Sequence, residues 1–240
     1  MEIRFLGHSG FLVETGDRLL IFDDALEGPS DGSLEEGVIP PSLLDGRETL
    51  VFVSHWHSDH FNPAIFQWRA EGRRIAYLLS KDCRVQKYQG EDILRLGANQ
   101  SLVLNGVEVR TLRSTDEGVA FLVKTGGRTL YHAGDLNWWH WEGEPEELNR
   151  QMARRYQAEI EKLKGEPIDL AFLPLDPRQG SAYLLGLDAF MRTLQVEKAI
   201  PMHFWDRYEV FDQIAADPRS APYREKILRL TRRGERILLP

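Results

Sequence analysis

The sequence predicts a mixed α/β fold with two β-rich halves and helices on the outside, and three observations support it. Strand-like segments with period-two alternation and glycine punctuation open the chain and recur through its middle. A later segment carries apolar residues at the three- and four-residue spacing of a helix. Hydrophobic residues make up 42% of the 240 residues and charged residues 28%, which is typical of a globular protein with a filled core.

The first elements are a β-meander and a buried strand. Period-two alternation predicts strands at Ile3–Leu6, Phe11–Glu14 and Arg18–Phe22. The segment Ala25–Arg47 is rich in Gly, Pro, Ser and acidic residues, so we expect an irregular excursion that covers a site or contacts a partner. The apolar run Thr49–Val53 predicts a buried strand.

The middle of the chain is predicted to be mostly sheet. Asn62 suits a helix N-cap and Pro63 the first helical position, so a helix is expected from Pro63 to about Glu71. Turn signals such as Asn105-Gly106 separate the strand-like segments that follow. These predicted strands are Ile75–Leu79, Ser101–Leu104, Val107–Leu112, Val119–Lys124 and Thr129–His132.

The last third of the chain alternates between helices and strands. A helix is predicted over Pro145–Leu163, where apolar residues recur at helical spacing, and another near Leu184–Leu194. Strands are predicted at Leu170–Leu173 and Ala199–Met202. A final helix and strand are expected within Pro222–Leu239.

Charge and composition exclude several classes of function. The 30 basic and 37 acidic residues give a net charge of −7, which opposes binding to nucleic acid. Cys83 is the only cysteine, so neither a disulfide within the chain nor a cysteine zinc cluster is expected. The N-terminal residues do not read as a signal peptide, and no apolar run is long enough to span a membrane. We therefore expect a cytoplasmic protein with no membrane partner.

The segment SHWHSDH carries the clearest chemistry. His55 and His57 lie two positions apart on an extended segment, so both imidazoles point the same way and can grip one cation. Asp59 and His60 follow where the chain curls, and they can bind a second cation close by. The pattern predicts a pair of metal ions.

This segment resembles the signature HxHxDH of the metallo-β-lactamase superfamily, which it matches in full. The resemblance implies a four-layer αββα sandwich, a single domain spanning residues 1–240, and a site at one edge of the two sheets. It also implies a metal-dependent hydrolase whose further ligands follow later strands.

Four more residues are assigned through the resemblance. In LYHAGDLN, Asp135 resembles the aspartate that bridges both metals, and in IPMHF, His203 resembles the last ligand. In LLIFDD, Asp23 resembles the aspartate that orients a ligating histidine through a hydrogen bond. His8, in GHSGFLVE, resembles the start of the ascorbate-phosphate lactonase and phospholipase D-like branches, where this stretch lies beside the site.

The pattern breaks at one position. The family supplies a third histidine to the first metal between these motifs, but the chain has TLRSTDEGVAF there. Ser114 falls near the expected position, and Asp116 is close enough to offer a carboxylate, which would favour manganese or iron(II) over zinc. The alternatives are a weaker first metal site completed by water, or catalysis by the second metal alone. His132 is interpreted as structural.

A predicted pocket follows the bridging aspartate. In LNWWHWEGE, Trp138 and its neighbours can line an apolar cleft or fill the core, and His140 can act as an acid or base. In PLDPRQG, Arg178 can bind a substrate carboxylate or phosphate, or form a salt bridge in its own loop. Trp205 follows the last ligand closely and can close the pocket.

The predicted reaction is hydrolysis of a small ester, lactone or phosphoester. Two divalent cations, zinc or manganese and iron, would ionise a shared water near neutral pH, with Asp59 and Asp135 as the catalytic residues. The alternative is a non-hydrolytic redox or sensory metal protein, which the missing histidine motivates. The expected partner is a small molecule, and a homo-oligomer is possible because the 25–47 excursion and the tryptophans offer contact surfaces.

Overall fold

The structure is a computed structural model that describes residues 1–16, 18–25, 28–29, 31–85 and 87–240. It divides into two compact units, and each is considered by itself. The first unit comprises Met1–Gly97 and Thr231–Pro240, and the second comprises Ala98–Leu230.

Within the described residues, the chain forms thirteen strands and three α-helices. The strands are β1 Glu2–Gly7, β2 Gly10–Thr15, β3 Arg18–Phe22, β4 Glu48–Val53, β5 Arg74–Ser80, β6 Ile93–Leu96, β7 Ser101–Leu104, β8 Val107–Arg113, β9 Val119–Thr125, β10 Arg128–His132, β11 Ile168–Pro174, β12 Val196–Met202 and β13 Arg236–Leu238. The helices are α1 Glu146–Glu161, α2 Leu185–Thr193 and α3 Val210–Ala216.

The first unit is built on a seven-stranded sheet in the order β13-β1-β2-β3-β4-β5-β6. Strands β1, β2 and β3 pair antiparallel, which confirms the predicted meander, whereas β3, β4, β5 and β6 pair parallel. Strands β3 and β4 are almost continuously buried apolar runs, as expected for parallel strands with both faces covered. One core cluster on this sheet includes Leu19, Ile21, Val51, Tyr77 and Leu79.

The second unit is built on a six-stranded sheet in the order β12-β11-β10-β9-β8-β7. Strands β7 to β10 pair antiparallel, and β10, β11 and β12 pair parallel. Helix α2 packs on β11, and α1 packs on α2. The Tyr156 hydroxyl of α1 donates a hydrogen bond of 2.8 Å to the Gly186 carbonyl of α2, and Tyr131 stacks on Phe190 with ring centroids 4.8 Å apart.

Two helix predictions need correction. The expected helix after Asn62 is a 3-10 helix over Pro63–Trp68, although the Asn62 side chain does cap it by accepting from Ala64 N–H at 3.0 Å. It ends early because Arg69 is extended and its guanidinium pairs with Asp92. The expected α-helix after Pro222 is only a 3-10 turn, Arg224–Lys226, while the expected final strand is β13.

Two elements of the structure were not predicted from the sequence. Strand β6 has four residues, of which one is charged, and it is recognised only because it pairs with β5. Helix α3 has seven residues, too few to show a helical period. In the segment 25–47 the described residues contain two short 3-10 turns, Leu34–Glu36 and Pro41–Leu44, and residues 26, 27 and 30 lie outside the described part.

Among the residues that the structure describes, no helix has both the length and the apolar character that crossing a membrane requires.

Candidate functional site

Three candidate residues of the first unit follow strands that run in the same direction. Strands β1, β3 and β4 point the same way, because β1 and β3 both pair antiparallel with β2 and β3 pairs parallel with β4. His8, Asp23 and His55 come directly or one residue after the ends of these strands. The carboxyl ends of such strands meet at one edge of a sheet, which is where α/β proteins bind ligands.

A tight turn between β1 and β2 positions His8. Gly7 has φ 121° and His8 has φ 42°, so the turn uses left-handed backbone. Gly10 allows the close approach, since a Cβ atom there would lie 3.1 Å from the Asp23 carbonyl oxygen. The buried His8 ring then places Nε2 at 3.3 Å from the Asp59 carboxylate.

His55 and His57 lie beside each other, as their spacing predicts. The His55 Nε2 and His57 Nδ1 atoms are 3.0 Å apart, and the ring centroids are 4.6 Å apart. The hydroxyl of Ser54 lies 2.9 Å from His55 Nδ1, which leaves the Nε2 atom on the side of His57. Two imidazole nitrogens this close can bind one cation when both are neutral.

Asp23 holds His60 by a buried hydrogen bond. The His60 Nδ1 atom lies 2.8 Å from Asp23 Oδ2, and the Asp23 carboxylate also accepts from the Ser54 N–H at 2.7 Å and the Ser54 hydroxyl at 2.6 Å. This is the arrangement by which a carboxylate orients a metal-binding histidine. His8, Asp59 and His60 each place one ligand atom within 4.8 Å of those of the other two.

The second unit repeats this arrangement of strand ends. Strands β8, β10, β11 and β12 run in the same direction. The residues that follow them include Ser114, Asp135, Asp176 and His203. One edge of this sheet therefore also carries the side chains that the sequence singles out.

His203 is held by two carboxylates within this unit. Its Nε2 atom lies 3.4 Å from Asp135 Oδ1, and its Nδ1 atom lies 3.1 Å from Asp176 Oδ2. Asp176 also pairs with Arg178 at 2.5 Å and accepts from Trp205 Nε1 at 3.2 Å. Burial alone would raise the pKa of Asp176, but the hydrogen bonds from His203 and Arg178 outweigh it and hold the pKa well below its usual range.

Tryptophans pack around His203, but the predicted pocket residue Trp138 is not one of them. Trp139 lies against His203 with ring centroids 5.4 Å apart, and its Nε1 donates to the Asp135 carbonyl at 3.0 Å. Trp138, the predicted pocket residue, lies instead toward Tyr156 of α1, with centroids 6.5 Å apart. His140 is half-buried and makes no hydrogen bond or ion pair with the described residues.

Arg178 and Trp205 both contact the Asp176 carboxylate and also pack against each other. The Arg178 guanidinium lies 4.4 Å from the centre of the Trp205 ring and 5.8 Å from that of Trp141. Of the two interpretations of Arg178, the structure therefore contains the salt bridge within its own loop.

The turn after β8 distinguishes Asp116 from the other candidate ligands. Ser114 and Thr115 are buried, and the Thr115 hydroxyl donates to the Asn137 carbonyl at 2.6 Å. Asp116 is exposed, and its backbone N–H donates to the Ser114 hydroxyl at 3.1 Å. The predicted ligands of SHWHSDH, together with Asp135 and His203, are all buried or half-buried. Asp116 as a ligand stays a prediction.

Comparison with known proteins decides the family. A family model described as a beta-lactamase superfamily domain matches residues 2–150, which is more than half of the chain. The chain belongs to this superfamily. A protein of Thermococcus kodakarensis called a UPF0173 metal-dependent hydrolase is 26% identical over 234 residues, covering 92% of this chain and 90% of its own.

Two solved structures show the same superfamily fold. Igni18, described as a novel metallo hydrolase from Ignicoccus hospitalis, has a TM-score of 0.64 at 20% identity and covers 98% of this chain and 97% of its own. YhfI from Bacillus subtilis, described as a metallo-beta-lactamase fold protein, has a TM-score of 0.65 at 15% identity, and 99% of each chain is covered. The predicted α/β fold of the metallo-β-lactamase type is confirmed.

The prediction of an enzyme is confirmed as well, since the chain belongs to the superfamily and its curated relatives are called metal-dependent hydrolases. The superfamily signature accounts for three of its seven histidines, His55, His57 and His60. Sequence reasoning did not single out Ser54 and did not assign a role to Asp176. The position of Asp176 in the sequence could have indicated its role, because it follows the end of a strand closely. It comes two residues after β11, and Asp23 comes directly after β3.

Left-handed backbone marks three of the site residues. His8, Asp23 and His203 have φ values of 42°, 41° and 63°. Non-glycine residues avoid this region, and such conformations cluster where a side chain must be aimed at a site. All three residues lie immediately after strands of this superfamily member.

Proposed function

We propose that the protein hydrolyses a small ester, lactone or phosphoester with water activated by two divalent cations. The observation that carries the proposal is the packing of four imidazoles and one carboxylate at one edge of the first sheet. Their residues are His8, His55, His57, Asp59 and His60. Imidazole nitrogens and a carboxylate packed this closely form the type of donor set that binds divalent cations in proteins.

The ligands of the first unit divide into two groups. His55 and His57 form one group, joined by the 3.0 Å contact of their ring nitrogens. Asp59 and His60 form the other, and we add His8 to it because its Nε2 atom lies 3.3 Å from Asp59. The ligand set predicted from the sequence also includes Asp135 and His203 of the second unit.

These donor atoms fit borderline divalent cations. Imidazole suits zinc and iron, and a mixture with carboxylate also admits manganese. The fit has a structural basis, since the hydrogen bond from His60 Nδ1 to Asp23 directs the Nε2 atom of His60 away from that carboxylate. When bound, such cations lower the pKa of a coordinated water towards about 7 and polarise a carbonyl or phosphoryl oxygen.

The protein's own groups would then handle orientation and proton transfer. Asp59 is the acidic group best placed for this, because its side chain is 28% accessible and next to His8. Asp23 and Asp176 keep His60 and His203 in fixed ring orientations.

Elemental analysis of purified protein tests the ligand set. We expect two metals per chain in the native protein and a loss in His60→Ala and in His8→Ala, and Asp116→Ala tests that residue as a predicted ligand. His140→Ala is the matched control, because it removes a half-buried histidine outside the set. Native protein with fewer than two metals would contradict the two-metal proposal, and unchanged metal content in Asp116→Ala would contradict Asp116 as a ligand.

A screen of chromogenic esters, lactones and phosphodiesters with zinc, manganese or iron(II) tests the reaction. Turnover that disappears on chelation and in Asp59→Asn supports hydrolysis, and turnover that survives thorough metal removal contradicts it. The names of the curated relatives favour hydrolysis over a non-hydrolytic role.

The proposal also includes a small-molecule substrate, no nucleic-acid or membrane partner, a cytoplasmic location and a possible homo-oligomer. Cell fractionation and sedimentation of the purified protein test the last two.

A further inference from the structure

An open cleft of about 500 Å³ lies along the SHWHSDH loop within the first unit. Its lining includes Trp56, His57, Asp59, Phe61 and Arg84. Two of these residues are proposed metal ligands, so the cleft borders the metal-binding groups. Its volume is within the range of sites that bind small molecules.

Arg84 is the one lysine or arginine among the described residues that line this cleft. It is exposed, and it forms no ion pair or hydrogen bond with any residue that the structure describes. Nearby arginines of the same unit behave differently: Arg69 pairs with Asp92 at 2.7 Å, and Arg73 pairs with Asp45 at 2.7 Å. Although Asp82 is only two positions away, it does not lie within ion-pair distance of Arg84 in the described structure.

An arginine of this kind is suited to bind a carboxylate or phosphate. The guanidinium presents several donors in a planar fork that matches these anions, and it keeps its charge at all ordinary pH values. Asp59 is the one acidic side chain that the described part of the chain contributes to the lining, and metal binding would offset its charge. Trp56, which is 51% exposed in the same lining, offers a ring face to the apolar part of a ligand.

We propose that Arg84 is a specificity-determining residue that selects substrates carrying an anionic group, a carboxylate or a phosphate, in addition to the bond that is cleaved. Trp56 packs against the apolar part that joins the anion to the scissile bond. This inference rests on the proposed hydrolase function, because the cleft is assigned to substrate through its two metal-ligand residues.

Matched pairs of aryl esters test the selection. The neutral member is 4-nitrophenyl butyrate, and the anionic member is the mono-4-nitrophenyl ester of glutaric acid. We expect native protein to prefer the anionic ester in kcat/KM, and Arg84→Ala to lower the ratio of the two kcat/KM values about tenfold, mainly through KM. That loss is what removal of a charge-assisted hydrogen bond produces.

Two variants control for charge and shape. Arg74→Ala removes an exposed arginine of β5 whose guanidinium contacts only the Gly46 carbonyl, so it should keep the native ratio. Arg84→Lys should retain part of the preference, since lysine keeps the charge but loses the fork. A ratio that is the same in Arg84→Ala as in native protein, or that falls equally in Arg74→Ala, overturns the proposal.

Binding measurements separate this inference from the proposed function. Benzoate and its neutral analogue benzamide are titrated calorimetrically into metal-loaded native protein, Arg84→Ala and Arg74→Ala. We expect benzoate to bind about tenfold tighter than benzamide, and only Arg84→Ala to abolish the difference. If no ester is hydrolysed but this pattern holds, the anion site stands and hydrolysis fails. A benzoate preference that survives in Arg84→Ala overturns the anion site, whatever the activity.

Discussion

Each unit of the protein contains a buried aspartate that accepts a hydrogen bond from a histidine, but the two aspartates are held very differently. Asp23 accepts from His60 Nδ1 at 2.8 Å, and Asp176 accepts from His203 Nδ1 at 3.1 Å. Asp23 also accepts hydrogen bonds from the backbone N–H and the hydroxyl of Ser54, which is fully buried just after β4.

Asp176 accepts from the backbone N–H of Arg178 at 2.8 Å, and its remaining donors are side chains that reach solvent. The side chain of Arg178 is 44% accessible, and Trp205 is 41% exposed. Removing Asp23 leaves buried donors with no water to replace it, whereas the partners of Asp176 can turn towards solvent. The comparison teaches that the same buried carboxylate–histidine pair is held by a fully buried residue, Ser54, in the first unit and by solvent-reaching side chains in the second.

The largest effect is expected from Asp23→Ala. Three buried donors, on Ser54 and His60, lose their acceptor, so the free energy of unfolding should fall by about 3 kcal/mol or more. Metal affinity should fall roughly 10- to 100-fold because His60 is no longer oriented. Chemical denaturation of metal-stripped protein measures the first effect. Asp92→Ala, which breaks a half-exposed pair in the same unit, is the control; an equal loss there would contradict the buried role of Asp23.

A smaller loss of stability is expected from Asp176→Ala. The free energy of unfolding should fall by about 1–2 kcal/mol, because Arg178 and Trp205 can be solvated while His203 is left buried. Metal affinity should again fall roughly 10- to 100-fold. The same denaturation series and a competition titration with a chromogenic chelator measure both. If Asp176→Ala destabilises the protein more than Asp23→Ala does, the contrast between the two units is wrong.

Arg178→Ala should have a smaller, purely kinetic effect. Because Arg178 is paired with Asp176, it acts on His203 through that carboxylate as a positioning residue. We expect kcat to fall about two- to tenfold with KM nearly unchanged. A rise in KM with unchanged kcat would instead show that Arg178 binds substrate, the other interpretation of the sequence. Steady-state kinetics on the ester screen distinguish the two.

The smallest effect comes from a second Asp-Pro-Arg turn in the same unit. Asp217 repeats the geometry of Asp176, since it accepts from the N–H and the guanidinium of Arg219, two positions later. Its third partner is the Tyr183 hydroxyl at 3.0 Å, where Asp176 has a histidine. The hydrogen bonds from Arg219 lower the pKa of Asp217 from 3.8 to about 2.

This lowered pKa has a defined consequence for stability. The folded state binds the Asp217 proton more weakly than the unfolded state, so the stabilisation is complete above about pH 4 and is lost as the pH falls through about 2. Asp217→Asn should cost about 1 kcal/mol at neutral pH, after allowance for solvent around Arg219, and the cost should shrink as the pH falls towards about 2. Thermal unfolding across this range measures it. Unchanged metal content in Asp217→Asn would show that an Asp-Pro-Arg turn without a histidine partner does not contribute to metal binding.

Local patterns predict much of the site because its residues lie on short segments. The relation of His55 to His57 follows from two-residue spacing on an extended strand end, and the structure places their nitrogens 3.0 Å apart. The cap of Asn62 on Ala64 N–H is equally local. Contacts between distant segments could not be predicted from the sequence. Asp176 and His203, for example, are 27 positions apart, and no spacing rule connects them.

Sequence alone therefore determined the class of fold, the metal-binding loop and the superfamily, because alternation, turn residues and a dense histidine motif are local properties of the chain. Tertiary structure decided which tryptophan faces His203, which carboxylate holds each histidine, and that Asp116 is exposed. It also decided that the helix after Asn62 is a short 3-10 turn. The physical reason is that these outcomes depend on which strand ends share a sheet edge and on which groups are buried there, and both are set by long-range strand pairing.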